Sequence, residues 1–421
     1  MCRAWRAWAV VGAVAVACAP SRDPGVPPVP LAQDAFVWQR AWTPAVRAAV
    51  SGAGADVSAD AADIRRLLVL VEEVEWTADG ASVPRPSEAD LDALRGRPVG
   101  LAVRVGLPPS GWGAVVMRAA RDAVARARVR AVASGVEVAE IHLDIDVPTA
   151  RLDAYAAALP DVRAAWPGVP LTITGLPDWL RSAALPKVLA AVDGWVLQVH
   201  WLRRAGEQLM LMDAAETDAA VSAASALGVP FRVALPTYAQ GGVRADPVSL
   251  AGRVAGWRAA PPPHMEGIAW FRLPVEGMLD TWPAAAFAAV RGGRSPRVGA
   301  RAEAVPSRDH PGTWDVRVVA TGEDVWDAPC VRATWAGGRA QAADALRATV
   351  RLDAGVARWS APAPLWPGES RWVGWIRLAP GERIDAVDVV AAGECDREPD
   401  DRVGLWSVHD GRTDGSSRPG R

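Results

Sequence analysis

The chain has 421 residues, 50% of them hydrophobic and 22% charged, with a formal net charge of -2. Those proportions describe a globular protein with room for one large domain and a smaller companion. They exclude a nucleic-acid partner, which needs a strongly basic face.

Arg3 and Arg6 precede an apolar run over residues 7–17, and Cys18 follows. This is the layout of a secretory signal, too short to remain as a membrane span. Residues 15–18, Ala-Val-Ala-Cys, resemble a lipoprotein cleavage site, and Pro20 disfavours ordinary processing after Ala19. The expectation is a signal peptide over 1–18 with lipidation of Cys18, then a Pro-rich tether over 19–33. A lipid anchor alone would then hold the protein in the cell envelope, facing the periplasm or the exterior. The residue after Cys18 is not acidic, which favours the outer membrane.

From residue 34 apolar, strand-like runs alternate with Ala-rich helical ones. Strands are predicted at 36–39, 66–73, 99–105, 139–147, 171–175, 195–200, 231–235 and 268–273. Helices are predicted at 44–51, 88–94, 114–133, 150–165, 186–191, 214–227, 247–257 and 283–290. Ser87 with Asp90 resembles a capping box, and Asp213 and Asp246 can cap the helices after them. Gly135, Gly168 and Gly228 fall just past helix ends. Eight such units predict a (β/α)8 barrel over 34–292. A doubly wound open sheet is the alternative, but no Gly-rich phosphate loop follows the first strand. Beyond the hinge at 291–296, short strands at 314–321, 330–336, 348–353, 371–378 and 386–391 predict a small β-sandwich-like domain over 293–399. Cys330 and Cys395 lie there, and a disulfide between them suits an exported protein. The polar tail over 400–421 reads as disordered.

Barrel chemistry sits at the C-terminal ends of the strands. Asp144 and Asp146 share one face of the fourth strand, and buried carboxylates demand partners, a ligand or water. His142, deeper on that face, reads as a satisfied core residue. Other polar candidates are Gln39, then Glu72, Glu73 and Glu75, which cannot all face inward, then Arg104, Asp178, Gln198, His200, Tyr238 and Arg272. Arg104 and Arg272 can neutralise the aspartates. Trp42, Trp76, Trp112, Trp179, Trp201 and Tyr238 occupy the same loops, and flat rings beside carboxylates and amides suit sugars.

Residues 143–147, Leu-Asp-Ile-Asp-Val, resemble the Asp-x-Asp-x-Glu signature of chitinase-type glycoside hydrolases. The resemblance implies that Asp144 and Asp146 are that family's tuning aspartates and that Trp270 on the eighth strand is a sugar-floor ring. The family's proton-donating Glu is replaced by Pro148. Four further stretches are similar to an exported bacterial family of unknown function with glycoside-hydrolase-like barrels. They are Phe36-Val-Trp-Gln39 with Trp42-Thr-Pro44, Leu143-Asp-Ile-Asp-Val-Pro-Thr149, Ile173-Thr-Gly-Leu-Pro-Asp-Trp-Leu180 and Leu197-Gln-Val-His200.

Three functions follow as expectations. The first is a carbohydrate-active enzyme using Asp144 and Asp146, with Glu73, Glu75 or Asp178 supplying the missing acid. Gln39, Trp42, Arg104, Gln198, His200, Trp201, Tyr238, Trp270 and Arg272 would line its glycan site. The second is a non-catalytic glycan-binding lipoprotein, which Pro148 favours. The third is a scaffold whose β-domain binds a partner. No cofactor is expected, and the spacing of His142, His200, Asp144 and Asp146 gives little support to a metal-dependent deacetylase.

Overall fold

The structure is a computed structural model that describes residues 31–53, 64–327, 329–361, 363–390 and 392–395. The signal peptide, Cys18, most of the tether and the tail over 400–421 lie outside these residues.

Eight parallel strands close into a barrel. They are β1 (Ala32–Val37), β2 (Arg66–Trp76), β3 (Val99–Val105), β4 (Val138–Asp144), β5 (Leu171–Gly175), β6 (Gly194–Gln198), β7 (Phe231–Pro236) and β8 (Met265–Phe271). Each strand pairs with its sequence neighbours, and β1 pairs with both β8 and β2 to complete the ring. Helices α1 (Pro44–Gly52), α2 (Ala114–Ser134), α3 (Leu152–Ala164), α4 (Leu185–Ala190), α5 (Ala214–Ala226), α6 (Pro247–Ala259) and α7 (Ala284–Arg291) follow the strands. The strands are rich in Val, Leu and Ile because both faces are covered. One face packs on the helices, where Val69, Leu101, Leu143, Ile173, Leu197, Val233 and Trp270 belong to the outer core. The other fills the barrel with Phe36, Trp38, Leu68, Leu70, Ala102, Val196, Ala234 and Ala269.

Several boundaries move. The first strand starts at Ala32, inside the stretch read as tether, and ends before Trp38. The helix expected at 88–94 is only a 3-10 turn, Leu91–Leu94, capped by Asp90. Ser87 is not its cap, because its hydroxyl donates to the Leu70 carbonyl at 2.6 Å. The caps at Asp213 and Asp246 form as expected: Asp213 accepts from the Glu216 N–H, and Asp246 from those of Val248 and Ser249. Gly135 and Gly228 take positive φ just past α2 and α5.

After the barrel, two four-stranded antiparallel sheets form. Their strands are β9 (Ala300–Pro306), β10 (Thr313–Ala320), β11 (Cys330–Thr334), β12 (Ala342–Ala345), β13 (Thr349–Asp353), β14 (Val356–Ser360), β15 (Ser370–Arg377) and β16 (Ala386–Val390). The orders are β9-β10-β15-β12 and β13-β14-β11-β16. Val316, Val318, Val331, Trp359, Val373 and Ile376 pack between them. Cys330 and Cys395 are joined by a disulfide spanning 65 residues. The barrel is braced against this domain by a part-buried ion pair. Arg244, on a small hairpin (Ala239–Gln240 with Val243–Arg244) that directly follows Tyr238, binds Asp324, whose side chain is only 5% exposed. Among the described residues no helix is long and apolar enough to cross a membrane.

Candidate functional site

Two groups of charges lie inside the barrel, one at each end. The N-terminal end is sealed. Arg232 donates to Asp34 at 2.7 Å and, with both terminal nitrogens, to Glu140 at 2.9 and 3.0 Å. Arg65 adds two bonds to Asp34 at 3.1 and 2.9 Å, and Arg66 lies 3.1 Å from Glu140. Burial alone would raise the Asp34 carboxyl, but the Arg65 hydrogen bond and the two cations outweigh it and hold its pKa below the ordinary value. Gly100 leaves room for the group, since a Cβ there would sit 2.9 Å from the Glu140 side chain.

The C-terminal end is open. Arg104, on β3, points inward with its side chain 41% exposed and faces three carboxylates. It donates to Asp144 at 3.2 Å and lies 3.8 Å from both Glu73 and Asp146. Arg40 forms a second, two-pronged clamp on Glu73. A register shift between Leu70 and Glu72 decides which acid of the second strand enters the barrel. Glu73 turns in, Glu72 turns out to Arg126 of α2, and Glu75 pairs at the surface with Arg85.

Along β4 and its continuation the polar face runs from dry to wet. His142 is fully buried, with ring nitrogens 3.0 Å from Thr172 Oγ1 and 3.0 Å from Thr174 Oγ1, so it is a satisfied core residue. Burial, and then the charge of Arg232, hold it well below the usual imidazole pKa. Asp144 is 8% exposed. Burial raises its pKa. Arg104 and a Thr174 hydrogen bond oppose that shift, while Asp146 and Glu73 reinforce it. Asp146 is the rim residue, with a side chain 58% exposed. Pro148 lies beyond the strand and caps a 3-10 turn, Thr149–Arg151.

Beside this group sits an aromatic cluster. Phe271 stacks on His200 at 5.3 Å and meets Trp38 edge-on at 5.1 Å, with Tyr238 5.8 Å away. The Tyr238 hydroxyl lies 3.2 Å from His200 Nδ1. Burial pushes the His200 imidazole down to about 3 and the Tyr238 phenol up to about 12. Both are therefore neutral at pH 7. With the phenol donating to Nδ1, the imidazole proton sits on Nε2, a buried atom that lacks a protein partner. Such a donor costs about 1–3 kcal/mol until something accepts from it. The Gln198 amide turns back to the His200 carbonyl at 3.1 Å.

Other expected residues lie elsewhere. Trp270 does not floor the mouth: it faces the helices, donates to Gln33 at 2.8 Å and packs on Trp282 and Phe287. One residue along, the pleat turns Phe271 inward instead. Trp42 is buried in the same outer core. Gln39 is buried too, its amide 3.4 Å from the Leu273 carbonyl. Arg272 pairs with Asp280, not with the aspartates. Asp178 is exposed on a 3-10 turn, Pro177–Arg181, and takes no part in the carboxylate group. Trp201 is 39% exposed, with Arg203 5.5 Å over its ring, beside a pocket of about 30 Å³ lined by Pro177 and Leu211. Among the described residues no three His, Cys, Asp or Glu are arranged to hold a metal.

Solved structures similar to the chain include the spore cortex-lytic enzyme SleL of Bacillus cereus, 13% identical over 58% of this chain and 71% of that one (TM-score 0.39). A chitinase from Bacteroides thetaiotaomicron is 7% identical over 58% and 90% (TM-score 0.41). Chitinase ChiA74 of Bacillus thuringiensis is 8% identical over 86% and 100% (TM-score 0.38). At these values they assign no residue a role. Comparison with curated protein sequences gave no match. Residues 95–242, which carry Arg104, Asp144, Asp146, His200 and Tyr238, match the model of the family described as Domain of unknown function (DUF3142).

Proposed function

We propose that the barrel mouth binds a glycan and hydrolyses it in the manner of a glycoside hydrolase. The observation that carries this is the Arg104 group, in which three carboxylates converge on one half-exposed guanidinium and one of them, Asp144, is pushed toward its protonated form. A neutral carboxyl beside an accessible one is the division of labour that acid/base cleavage needs. Asp144 is the carboxyl that burial pushes toward protonation. Asp146, at the rim, is the carboxyl that meets substrate first, so the outermost acid of the strand is Asp146 and Pro148 need not supply one. Glu73, clamped by Arg40, fixes Arg104 and so sets the charge between the aspartates. Phe271 and Tyr238, both half-buried, give apolar faces for a sugar ring.

The test is product formation from a panel of chitin, β-glucan, xylan and peptidoglycan, with Asp144→Asn and Asp146→Asn beside the parent chain. Both variants should lose turnover on whichever polymer is cleaved, and full activity in either would refute the assignment. Binding without product would support the second reading, a glycan-binding protein without catalysis. That reading is favoured by the engagement of Glu73 with two arginines.

The signal-like start and Cys18 further support export with a lipid anchor in the cell envelope, and the Cys330–Cys395 disulfide fits an oxidising compartment. Radiolabelled palmitate should enter the parent chain and not a Cys18→Ala variant.

A further inference from the structure

The outward face of sheet β9-β10-β15-β12 carries an aromatic strip that the barrel does not explain. Trp372 is 43% exposed and Trp375 half-buried. On a regular strand, positions three apart point to opposite faces. Here the pairing slips: Trp375 lies opposite Asp315 and Trp372 opposite Arg317, so Val373 is an extra residue. Gly374 makes the slip possible, because a Cβ there would run into the Asp344 carbonyl and sit 2.5 Å from the Trp359 indole nitrogen. Such bulges re-aim side chains. Both rings thus share the face of Asp315 and Arg317, about 7 Å apart along β10.

The rings are also held in place. The Arg317 guanidinium lies 5.4 Å from the Trp372 ring centre and that of Arg377 lies 5.9 Å from Trp375. Arg317 is fixed by Glu303 at 2.6 Å, and Arg377 donates to Thr313 at 3.1 Å. Around the strip, Arg301, Arg317 and Arg377 balance Glu303, Asp315 and Asp344 in the register of the sheet.

We propose that this face is a second glycan-binding surface, taking a neutral polysaccharide with adjacent sugar rings over Trp372 and Trp375. Flat indoles meet the C–H faces of pyranoses, and the fixed guanidinium and carboxylate groups beside them meet hydroxyls. The balanced charge fits neither an anionic polymer nor an acidic membrane. This surface does not depend on the reading of the barrel mouth.

Affinity electrophoresis of the full, disulfide-intact chain tests it, with gels containing xylan, mixed-linkage β-glucan or glycol chitin, and alginate as the anionic control. At least one neutral polymer should slow the protein. Trp372→Ala with Trp375→Ala should weaken that retardation by about tenfold or more, while Trp372→Phe keeps most of it. Circular dichroism establishes that each variant is folded. Asp144→Asn with Asp146→Asn, which disables only the mouth, should leave the Trp-dependent retardation in place. The proposal is overturned if no neutral polymer retards the chain, if the folded double-Ala variant runs like the parent, or if only alginate or a protein ligand depends on the two rings.

Discussion

The two ends of the barrel are built from the same parts, arginines among carboxylates, and differ in whether water reaches them. At the N-terminal end Arg232, Asp34 and Glu140 have side chains 5%, 0% and 4% exposed, with hydrogen bonds matched on both sides. At the mouth Arg104 is 41% and Asp146 58% exposed, and the distances are longer. A sealed ion cluster must be complete, because removing one member strands a charge in low dielectric. An open one can lose a member and let solvent substitute. The first arrangement holds a fold together. The second leaves charge available to a ligand.

The largest effect should come from breaking the sealed end. Arg232→Met should cost about 3–5 kcal/mol in urea unfolding, since Asp34 and Glu140 would lose their shared partner. Arg104→Met at the mouth should cost less, about 1–3 kcal/mol, because Asp144 and Glu73 are buried while Arg104 and Asp146 are reached by water. Equal losses would erase the distinction between the ends.

Acidification should come next. His142 and His200 are held neutral, so they bind fewer protons folded than unfolded. Their stabilisation is complete above the ordinary imidazole pKa and is lost below it, down to about 3 for His200. Each should contribute a slope of about 1.4 kcal/mol per pH unit in that window, measurable as a fall in urea midpoint that His200→Gln reduces.

The two aspartates should then respond with opposite signs. Asp34, with a lowered pKa, stabilises above the carboxylate range and ceases to do so as pH falls. Asp144, with a raised pKa, favours folding while protonated and loses that contribution as pH rises. Asp144→Asn should therefore leave stability at pH 7 unchanged or increased, whereas Asp34→Asn should lower it. A thermal-melting series from pH 4 to 8 distinguishes them. Smallest of all, Asp146→Asn should shift stability by no more than about 0.5 kcal/mol, even where it removes glycan turnover.

Much of the barrel was legible because a covered parallel sheet writes itself as separate apolar runs, and the caps at Asp213 and Asp246 mark where helices begin. The sandwich was less so: β9, β12 and β14 are short or polar enough to pass for loops. Parity was the chief loss at the site. A strand placed by its apolar run does not say which of two adjacent rings faces inward, and the residue matched to the chitinase sugar floor, Trp270, faces the helices while Phe271 faces the barrel. The shift before Glu72 is likewise invisible in a string of acids. The sealed cluster left almost no local trace, since Asp34, Arg66, Glu140 and Arg232 each resemble an ordinary charge beside a strand. Only closure of the ring brings them together. Gly100, a bare residue in mid-strand, was the one available hint.

The brace between Arg244 and Asp324 bears on how the gene could be divided. A fragment ending near residue 292 would keep all eight strands yet leave Arg244 without its counter-charge, beside the loop that presents Tyr238. The appended sandwich thus steadies the hairpin beside Tyr238, and swapping it for an unrelated module should blur the ligand preference of the barrel itself.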